Sequence, residues 1–249
     1  MKRQNILITG ASSGLGSGMA RQFAARGRNL ALCARRTEQL DELREELLRE
    51  NPRIEVHTRQ LDVTDHDAVF ETFRELRGTM GALDRVIVNA GVGKGQPIGT
   101  GCFHANLQTA QTNFTAALAQ CEAAMEIFRE QNAGHLAVIS SMAAMRGLPG
   151  NVTTYAATKA GLATLAEGIR ADVFDTPINV STIYPGYIRS EMNEDLKSAP
   201  FMVGLESGSR SLAEAIENEP GEACVPAWPW GALKYAMRAM PLRLVAKLS

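Results

Sequence analysis

Tyr155 and Lys159 stand four residues apart, and Ser141 precedes Tyr155 by 14 residues. On a helix this Tyr–Lys spacing places both side chains on one face, one turn apart. A phenol beside an ammonium group can donate and accept a proton near neutral pH if its pKa falls from about 10. The pattern predicts acid–base chemistry; the alternative is an interface tyrosine beside a surface lysine.

A glycine-rich stretch supplies the second half of a predicted redox site. Gly10, Gly14 and Gly16 follow a strand-like apolar run and precede a segment with helical character. Glycine permits a tight turn and close approach of a pyrophosphate, whose charge then lies at a helix N-terminus. The spacing Gly-x-x-x-Gly-x-Gly differs from the commoner Gly-x-Gly-x-x-Gly, so a purely structural turn is the alternative. With the Tyr–Lys pair, the stretch indicates a dinucleotide-dependent oxidoreductase.

The end of the second predicted strand indicates which dinucleotide binds. An acidic residue about 20 residues after the glycines would bind the adenine ribose 2′-hydroxyl. The segment from Asn29 to Thr37 contains no acid and carries Arg35 and Arg36. Guanidinium groups favour a 2′-phosphate by charge and fork geometry, although solvated surface arginines are the alternative. We predict NADP(H) in preference to NAD(H).

Composition predicts an ordinary globular protein. The 249 residues are 45% hydrophobic and 21% charged, which suits one α/β domain spanning residues 1–249. A net charge of −1 gives no reason to expect nucleic-acid binding. The four cysteines are scattered without metal-ligand spacing, so we predict reduced thiols and no metal site. The sequence shows no signal peptide or membrane-spanning run, and the expected location is the cytoplasm.

Short apolar runs alternate with helical periodicity along most of the chain. This alternation predicts an α/β fold with a doubly wound parallel β-sheet and helices on both faces, of the Rossmann type. One long helical stripe extends from Leu107 to Phe128. The predicted strands are Ile6–Ile8, Leu30–Cys33, Ile54–His57, Val86–Val88, Leu136–Ile139 and Val180–Ile183.

An ordered set of motifs resembles the short-chain dehydrogenase/reductase family, in its single-domain branch. The resemblance covers roughly residues 5–190. Its motifs are Thr9–Gly16, Asp62-Val63, Asn89-Ala90-Gly91, Asn113, Ser140-Ser141, Tyr155-x-x-x-Lys159 and Pro185-Gly186.

The resemblance implies a role for each catalytic candidate. Tyr155 would be the general acid in reduction and the base in oxidation, while Lys159 would lower its pKa and hold the nicotinamide ribose. Ser141 would orient the substrate oxygen, and Asn113 would hold a water that links Lys159 to solvent. The interval between Ser141 and Tyr155 is one residue longer than usual, so Ser140 stays a competitor for the serine role.

The resemblance also implies the cofactor contacts. Ser190 stands where the family often has threonine against the nicotinamide carboxamide, and Asn89 would tie the central strands together. Asp62 and Val63 would meet the adenine, with an ordinary strand end as the alternative. The full set is Gly10, Ser12, Ser13, Gly14, Leu15, Gly16, Arg35, Arg36, Asp62, Val63, Asn89, Ala90, Gly91, Tyr155, Lys159, Pro185, Gly186, Ile188 and Ser190.

The last quarter of the chain departs from a strong template. Residues 187–222 are expected to form a substrate lid or a packed connector, and their apolar residues predict an apolar carbonyl or alcohol substrate. These residues are Met192, Phe201, Met202, Val203 and Leu205.

Residues 225–249 form an unusual basic and apolar tail, which we expect to replace the family's final short strand and glycine-rich turn. The tail holds four basic residues, no acid and both tryptophans, Trp228 and Trp230. Its apolar positions, which include Leu248, suit packing onto a partner subunit, packing over the substrate entrance, or peripheral contact with a membrane surface. Pro241 should break any single helix.

These observations favour an NADP(H)-dependent carbonyl reductase or alcohol dehydrogenase. A lyase, dehydratase or epimerase on the same fold, and a cofactor sensor or scaffold without turnover, are the alternatives. Small residues on the helix after Tyr155, from Ala156 to Gly168, would let a helix of a second subunit approach closely, with simple packing on the sheet as the alternative. Together with the resemblance, they predict a homodimer or homotetramer.

Overall fold

A computed structural model describes residues 3–194 and 199–247. Leu248 of the tail and residues 195–198 of the predicted lid lie outside the described residues. The seven strands described form one parallel sheet in the order β3-β2-β1-β4-β5-β6-β7, which confirms the doubly wound fold. The strands are β1 (Asn5–Thr9), β2 (Asn29–Ala34), β3 (Val56–Gln60), β4 (Arg85–Val88), β5 (Gly134–Ile139), β6 (Ile178–Pro185) and β7 (Glu222–Val225).

Helices cover both faces of this sheet. One core holds Phe23, Leu40 and Ile216 and lies on the first face, while Phe73 and Phe128 belong to the core on the other. The helices are α1 (Gly14–Ala25), α2 (Thr37–Glu50), α3 (His66–Met80), α4 (Phe103–Ala110), α5 (Ala116–Gln131), α6 (Thr153–Asp172), α7 (Leu205–Glu217), α8 (Ala227–Ala239) and α9 (Leu242–Val245).

The strand order changes direction between β1 and β4, and this point positions the site. From β1 the chain builds outward to β3, returns to β4 on the other side of β1, and continues outward to β7. The carboxyl ends of adjacent strands then lead into loops that diverge, which opens a crevice at this edge of the sheet. The glycine stretch follows β1 and Asn89 follows β4, so both lie at the crevice.

Both edge strands differ from the prediction. The third strand begins at Val56 and continues to Gln60, because it pairs with β2 as far as Ala34 even though its last residues are polar. The expectation that the tail replaces the family's final strand is wrong, because Glu222–Val225 pairs with β6. An edge strand exposes part of its surface, so its sequence lacks the continuous apolar run of a central strand.

The long predicted helix is interrupted. A π-helical turn at Gln111–Thr115 lies between α4 and α5 and contains Asn113. In the tail, α8 ends at Ala239 and α9 begins after Pro241, as predicted. Trp228 has non-helical backbone angles, so the regular part of α8 starts beyond it.

Candidate active site

The glycine stretch is shaped by backbone contacts with the loop after β4. Gly10 has φ +65°, and a Cβ there would lie 2.9 Å from the Cα of Ala90. A Cβ at Gly16 would lie 2.2 Å from the Gly10 carbonyl oxygen. Asn89 Nδ2 donates to the carbonyl oxygens of Thr9 (2.9 Å) and Gly10 (3.3 Å). Asn89 thus ties the two central strands together, as the resemblance implied.

The residues at the start of α1 fit a dinucleotide pyrophosphate. Ser13 precedes the helix in an extended conformation and makes no side-chain cap hydrogen bond, and residues 14–17 include no acid. The first N–H groups of a helix have no intrahelical partner and carry the positive end of the helix dipole. They are therefore suited to receive an anion here, and Leu15 packs behind them against the core.

Arg36 lies over the same loop. Its guanidinium donates to Ser12 Oγ (3.2 Å) and Ser13 Oγ (2.5 Å), and one nitrogen lies 3.4 Å from the Glu191 carboxylate. Three of the predicted cofactor residues thereby meet at one point. The arrangement holds the Arg36 guanidinium at the mouth of the crevice, where the Glu191 carboxylate offsets part of its charge.

Arg35 and Asp62 lie on the adenine side of the predicted site. A guanidinium nitrogen of Arg35 is 4.0 Å from the Asp62 carboxylate, and both side chains are about half exposed or more. Although partial burial opposes ionisation, hydrogen bonds from Thr64 and the Arg35 charge lower the pKa of Asp62. Val63 beside it is buried.

Three consecutive residues, Ser190, Glu191 and Met192, contact elements on both sides of the crevice. A Cβ at Gly14 would contact Ser190 at 3.5 Å, and a Cβ at Gly93 would lie 3.2 Å from Met192. Glu191 reaches Arg36, as described above. Residues 190–192 therefore contact the glycine stretch, the residue that follows the end of β2, and the loop after β4.

Tyr155 and Lys159 lie one turn apart near the start of α6. Lys159 is 5% exposed; its Nζ donates to the Ile139 carbonyl oxygen (2.7 Å) and lies 6.0 Å from the centroid of the Tyr155 ring. Burial lowers the pKa of Lys159 to about 8. Burial raises the pKa of Tyr155, a side-chain hydrogen bond with Ser141 opposes that rise, and the nearby Tyr187 adds to it. Lowering of the Tyr155 pKa by Lys159 stays a prediction.

The two serines after β5 have different environments. Ser140 is buried and its Oγ donates to the Lys159 carbonyl oxygen (2.9 Å), which fixes α6 to the sheet. Ser141 is partly exposed, and its Oγ accepts from Ala143 N (3.1 Å) and interacts with Tyr155. The geometry therefore favours Ser141 over Ser140 as the residue that meets a substrate.

Asn113 connects the π-helical turn to the loop after β4. Its side chain accepts from Val92 N and donates to Val92 O, both at 2.8 Å. A Cβ at Gly91 would lie 3.2 Å from Asn113 Oδ1 and 3.5 Å from Lys159 Nζ. Asn113 and Lys159 therefore meet at Gly91, and the π-helical turn is the local feature that places Asn113 there.

The segment after β6 contributes backbone to the site and side chains to the core. Pro185 ends β6, and Gly186 N donates to the Val225 carbonyl oxygen (2.8 Å). Ile188 is buried and forms an isolated bridge with Val203 of the predicted lid. The Ile188 side chain packs against Gly208.

The tail packs against the substrate end of the sheet while part of it stays exposed. Trp230, Leu233 and Met237 of α8 join a core cluster with Met142 and Met145. On the other side of the tail, large apolar residues are exposed: Trp228, Tyr235, Leu242 and Leu244. Within residues 3–194 and 199–247, we find no helix with the length and apolar character needed to cross a membrane.

The sequence does not indicate four residues that lie near the predicted catalytic residues. Met142 and Met145 follow Ser141 in a 3-10 turn, Tyr187 lies close enough to affect Tyr155, and Trp230 comes from α8. Proximity in sequence to Ser141 and Gly186 could have indicated the first three. Nothing in the sequence pattern places Trp230 there.

Comparisons with known proteins agree with this geometry. The family model described as "short chain dehydrogenase" matches residues 4–200. An uncharacterized oxidoreductase of Mycobacterium tuberculosis is 50% identical over 247 residues, covering 99% of this chain and 98% of that protein. Another, from Myxococcus xanthus, is 35% identical over 227 residues, covering 91% and 88%.

A solved structure shares the fold. The alcohol dehydrogenase of the archaeon Thermococcus sibiricus, complexed with 5-hydroxy-NADP, superposes with a TM-score of 0.77 at 23% identity, covering 89% of this chain and 95% of that one. The family model matches most of the chain, and the two bacterial relatives align with more than nine-tenths of it. The chain belongs to the short-chain dehydrogenase family.

Proposed function

We propose that this protein is an NADP(H)-dependent oxidoreductase that transfers a hydride between the nicotinamide and a carbonyl or secondary alcohol carbon. The observation that carries the proposal is the convergence of Ser141, Tyr155 and Lys159 beside the crevice between β1 and β4. When bound, the nicotinamide would supply or accept the hydride. The protein residues would hold the reacting oxygen and move its proton.

The proposed roles follow from the contacts. Ser141 and Tyr155 interact with each other, so their hydroxyls can both reach one substrate oxygen. Tyr155 would donate its proton to that oxygen in reduction. Lys159, with a pKa of about 8, carries its positive charge at neutral pH and would stabilise the tyrosinate that forms. Asn113, which meets Lys159 at Gly91, would carry the proton path onward.

The preference for NADP(H) rests on Arg35 and Arg36. Arg36 is held by Ser12 and Ser13 at the mouth of the crevice, and Arg35 lies beside Asp62. A guanidinium positioned by two hydroxyls is suited to a phosphate. The NADP analogue in the Thermococcus sibiricus enzyme gives fold-level support to the same proposal.

We further propose one domain spanning residues 1–249, a cytoplasmic location and a homodimer or homotetramer. All four cysteines are free, which suits a reducing compartment. Ala157, Thr164 and Gly168 leave small residues exposed on α6, where a second helix could approach closely. Light scattering coupled to size-exclusion chromatography measures the assembly, and a monomer would contradict this part.

Cofactor titration followed by a turnover assay tests the proposal. We expect wild-type protein to bind NADPH more tightly than NADH and to oxidise NADPH at 340 nm with an apolar ketone. Tyr155→Phe should keep the NADPH affinity and lose turnover, because the ring remains and the proton donor is removed. Binding without turnover across ketones and aldehydes would support a sensor instead, and no binding would overturn the proposal.

A further inference from the structure

Trp230 is buried although Trp228, two residues earlier, projects from the surface. Trp230 is 6% exposed and Trp228 is 79% exposed. A Cβ built at Gly186 would lie 2.1 Å from Trp230 Nε1 and 2.2 Å from Cε2. The face of the indole at its Nε1–Cε2 bond therefore packs directly on the backbone of Gly186, which only glycine permits.

The surroundings of Trp230 connect it to the proposed catalytic group. The Tyr187 ring centroid is 5.8 Å from that of Trp230, with the planes at 61°. Tyr187 is also close enough to Tyr155 to raise its pKa. On its other side Trp230 shares a cluster with Met142 and Met145, which follow Ser141. Tyr187 is therefore in ring contact with Trp230 and close to Tyr155.

A third ring reaches Trp230 from the predicted lid. The Phe201 centroid lies 6.1 Å from that of Trp230, with the planes at 87°. Phe201 has φ +57°, a conformation that a bulky residue adopts at a cost. It is 56% exposed. Trp230, Tyr187 and Phe201 form a group of rings in which Trp230 is buried and the other two are exposed, and we call this group the aromatic wall.

The wall contains an unused hydrogen-bond donor. Trp230 Nε1 is buried and has no hydrogen-bond partner within residues 3–194 and 199–247. A buried indole N–H normally has a partner, since leaving it unpaired costs stability. The indole nitrogen can only donate, so the missing partner is an acceptor. A ligand oxygen at this position would satisfy it.

We propose that Trp230 determines substrate specificity in the proposed carbonyl site. The aromatic wall would contact a flat ring of the substrate, and Trp230 Nε1 would donate to a second oxygen on that ring. The substrate class is a ketone, or the matching secondary alcohol, on an aromatic or fused ring with a hydroxyl or carbonyl acceptor. This inference rests on the proposed function.

The kinetic test compares three variants on three ketones. Trp230→Phe removes the N–H, Trp230→Ala removes the ring, and Trp228→Phe is the matched control. The ketones are 1-tetralone, 6-hydroxy-1-tetralone and 2-butanone. NADPH titrations and thermal melts establish that each variant binds cofactor and is folded.

The two Trp230 variants should distinguish the contribution of the indole N–H to kcat/KM from the contribution of the aromatic ring. Trp230→Phe should lower kcat/KM for 6-hydroxy-1-tetralone about tenfold and leave 1-tetralone within about twofold. Trp230→Ala should lower kcat/KM for both tetralones at least about tenfold and spare 2-butanone. Trp228→Phe should match wild type. Unchanged selectivity in both Trp230 variants would overturn the inference.

A binding measurement tests the inference without turnover. The chain has two tryptophans, so Trp228→Phe leaves Trp230 as the single emitter and Trp230→Phe leaves Trp228. Adding 6-hydroxy-1-tetralone, with and without saturating NADP+, should change the Trp230 emission and leave the Trp228 emission unchanged after correction for absorbance. If wild type reduces no ketone, the proposed function fails, yet this response still supports a ring site at Trp230. An unchanged Trp230 emission would overturn the inference.

Discussion

Replacing Arg36 with glutamine should remove much of the preference for NADPH over NADH. Arg36 donates to Ser12 and Ser13, so its guanidinium is positioned before a ligand arrives. Glutamine keeps a polar side chain of moderate length and removes the charge and the fork. Arg35→Gln is the companion variant, and Arg53→Gln, on an exposed residue after α2, is the control.

The expected loss of NADPH affinity depends on how far each arginine side chain is exposed to solvent. A hydrogen bond to a charged group contributes about 1.5–3 kcal/mol, whereas a fully exposed ion pair contributes about 0.2–1 kcal/mol. The Arg36 side chain is 46% exposed and that of Arg35 is 64% exposed. We therefore expect Arg36→Gln to weaken NADPH binding about tenfold and Arg35→Gln about threefold, with NADH within about twofold.

Fluorescence titration with both cofactors measures these constants at two salt concentrations. The wild-type preference should shrink as salt rises, because a partly exposed charge pair is screened. Arg53→Gln should leave both constants unchanged. The reasoning is refuted if Arg35→Gln, Arg36→Gln and the double variant all retain the wild-type ratio of NADPH to NADH affinity.

Three further predictions concern titration, stability and the tail. Ketone reduction should fall as pH rises through about 8, where Lys159 loses its charge, and Lys159→Met should lower kcat and abolish that step in a pH–rate profile. Buried His135, with its pKa lowered to about 3, must gain a proton on unfolding. The contribution of neutral His135 to the free energy of unfolding is therefore fully present above the unfolded pKa of about 6.5, and it falls by about 1.4 kcal/mol per pH unit below that pH. Urea titrations at a series of pH values should show this slope, and His135→Gln should reduce it. Because α8 packs on protein, the full-length chain should stay in the supernatant when it is centrifuged with anionic vesicles. If the wild-type chain sediments with the vesicles and Leu242→Glu does not, the tail contacts the membrane.

The acid-sensitive region lies at the amino ends of the central strands β4 and β5, whereas the proposed site lies at the carboxyl ends of the strands. Arg85 is 1% exposed; its Nε donates to His135 Nδ1 (2.7 Å) and its Nη2 to Glu219 (3.0 Å). Burial opposes ionisation of Glu219, but hydrogen bonds and nearby positive charges, with Arg3 foremost, lower its pKa to about 2. We expect protonation of both groups to weaken the fold in acid without altering the contacts of the predicted catalytic residues.

The sequence predicts the central strands and the helix that carries Tyr155 and Lys159 because their signals are local. A strand buried on both faces needs a continuous apolar run, and β1, β4 and β5 each have one. The Tyr155–Lys159 spacing acts within one helix turn. Edge strands β3 and β7 were misplaced or missed because pairing with a neighbour, which no local pattern records, decides their extent.

The contents of the site were predictable only in part. Arg36 was recognised from its position after β2, but its contact with Glu191 joins residues 155 apart. Asn113 was recognised by resemblance, whereas the π-helical turn that aims it was not. Trp230 reaches Gly186 because β7 pairs with β6 and so places α8 at the end of β6. The sequence does not predict this contact because it does not predict β7.

Transfer of deuterium from the cofactor to the product shows directly whether this protein transfers a hydride. NADPH carrying deuterium on one face of the nicotinamide C4, and separately on the other, is incubated with the protein and a ring ketone. We expect mass spectrometry to detect a deuterated alcohol from one of the two cofactors, and none from Tyr155→Phe at equal NADPH occupancy. Saturated binding without deuterium in the product from either cofactor, across the ketone panel, would contradict hydride transfer as the function.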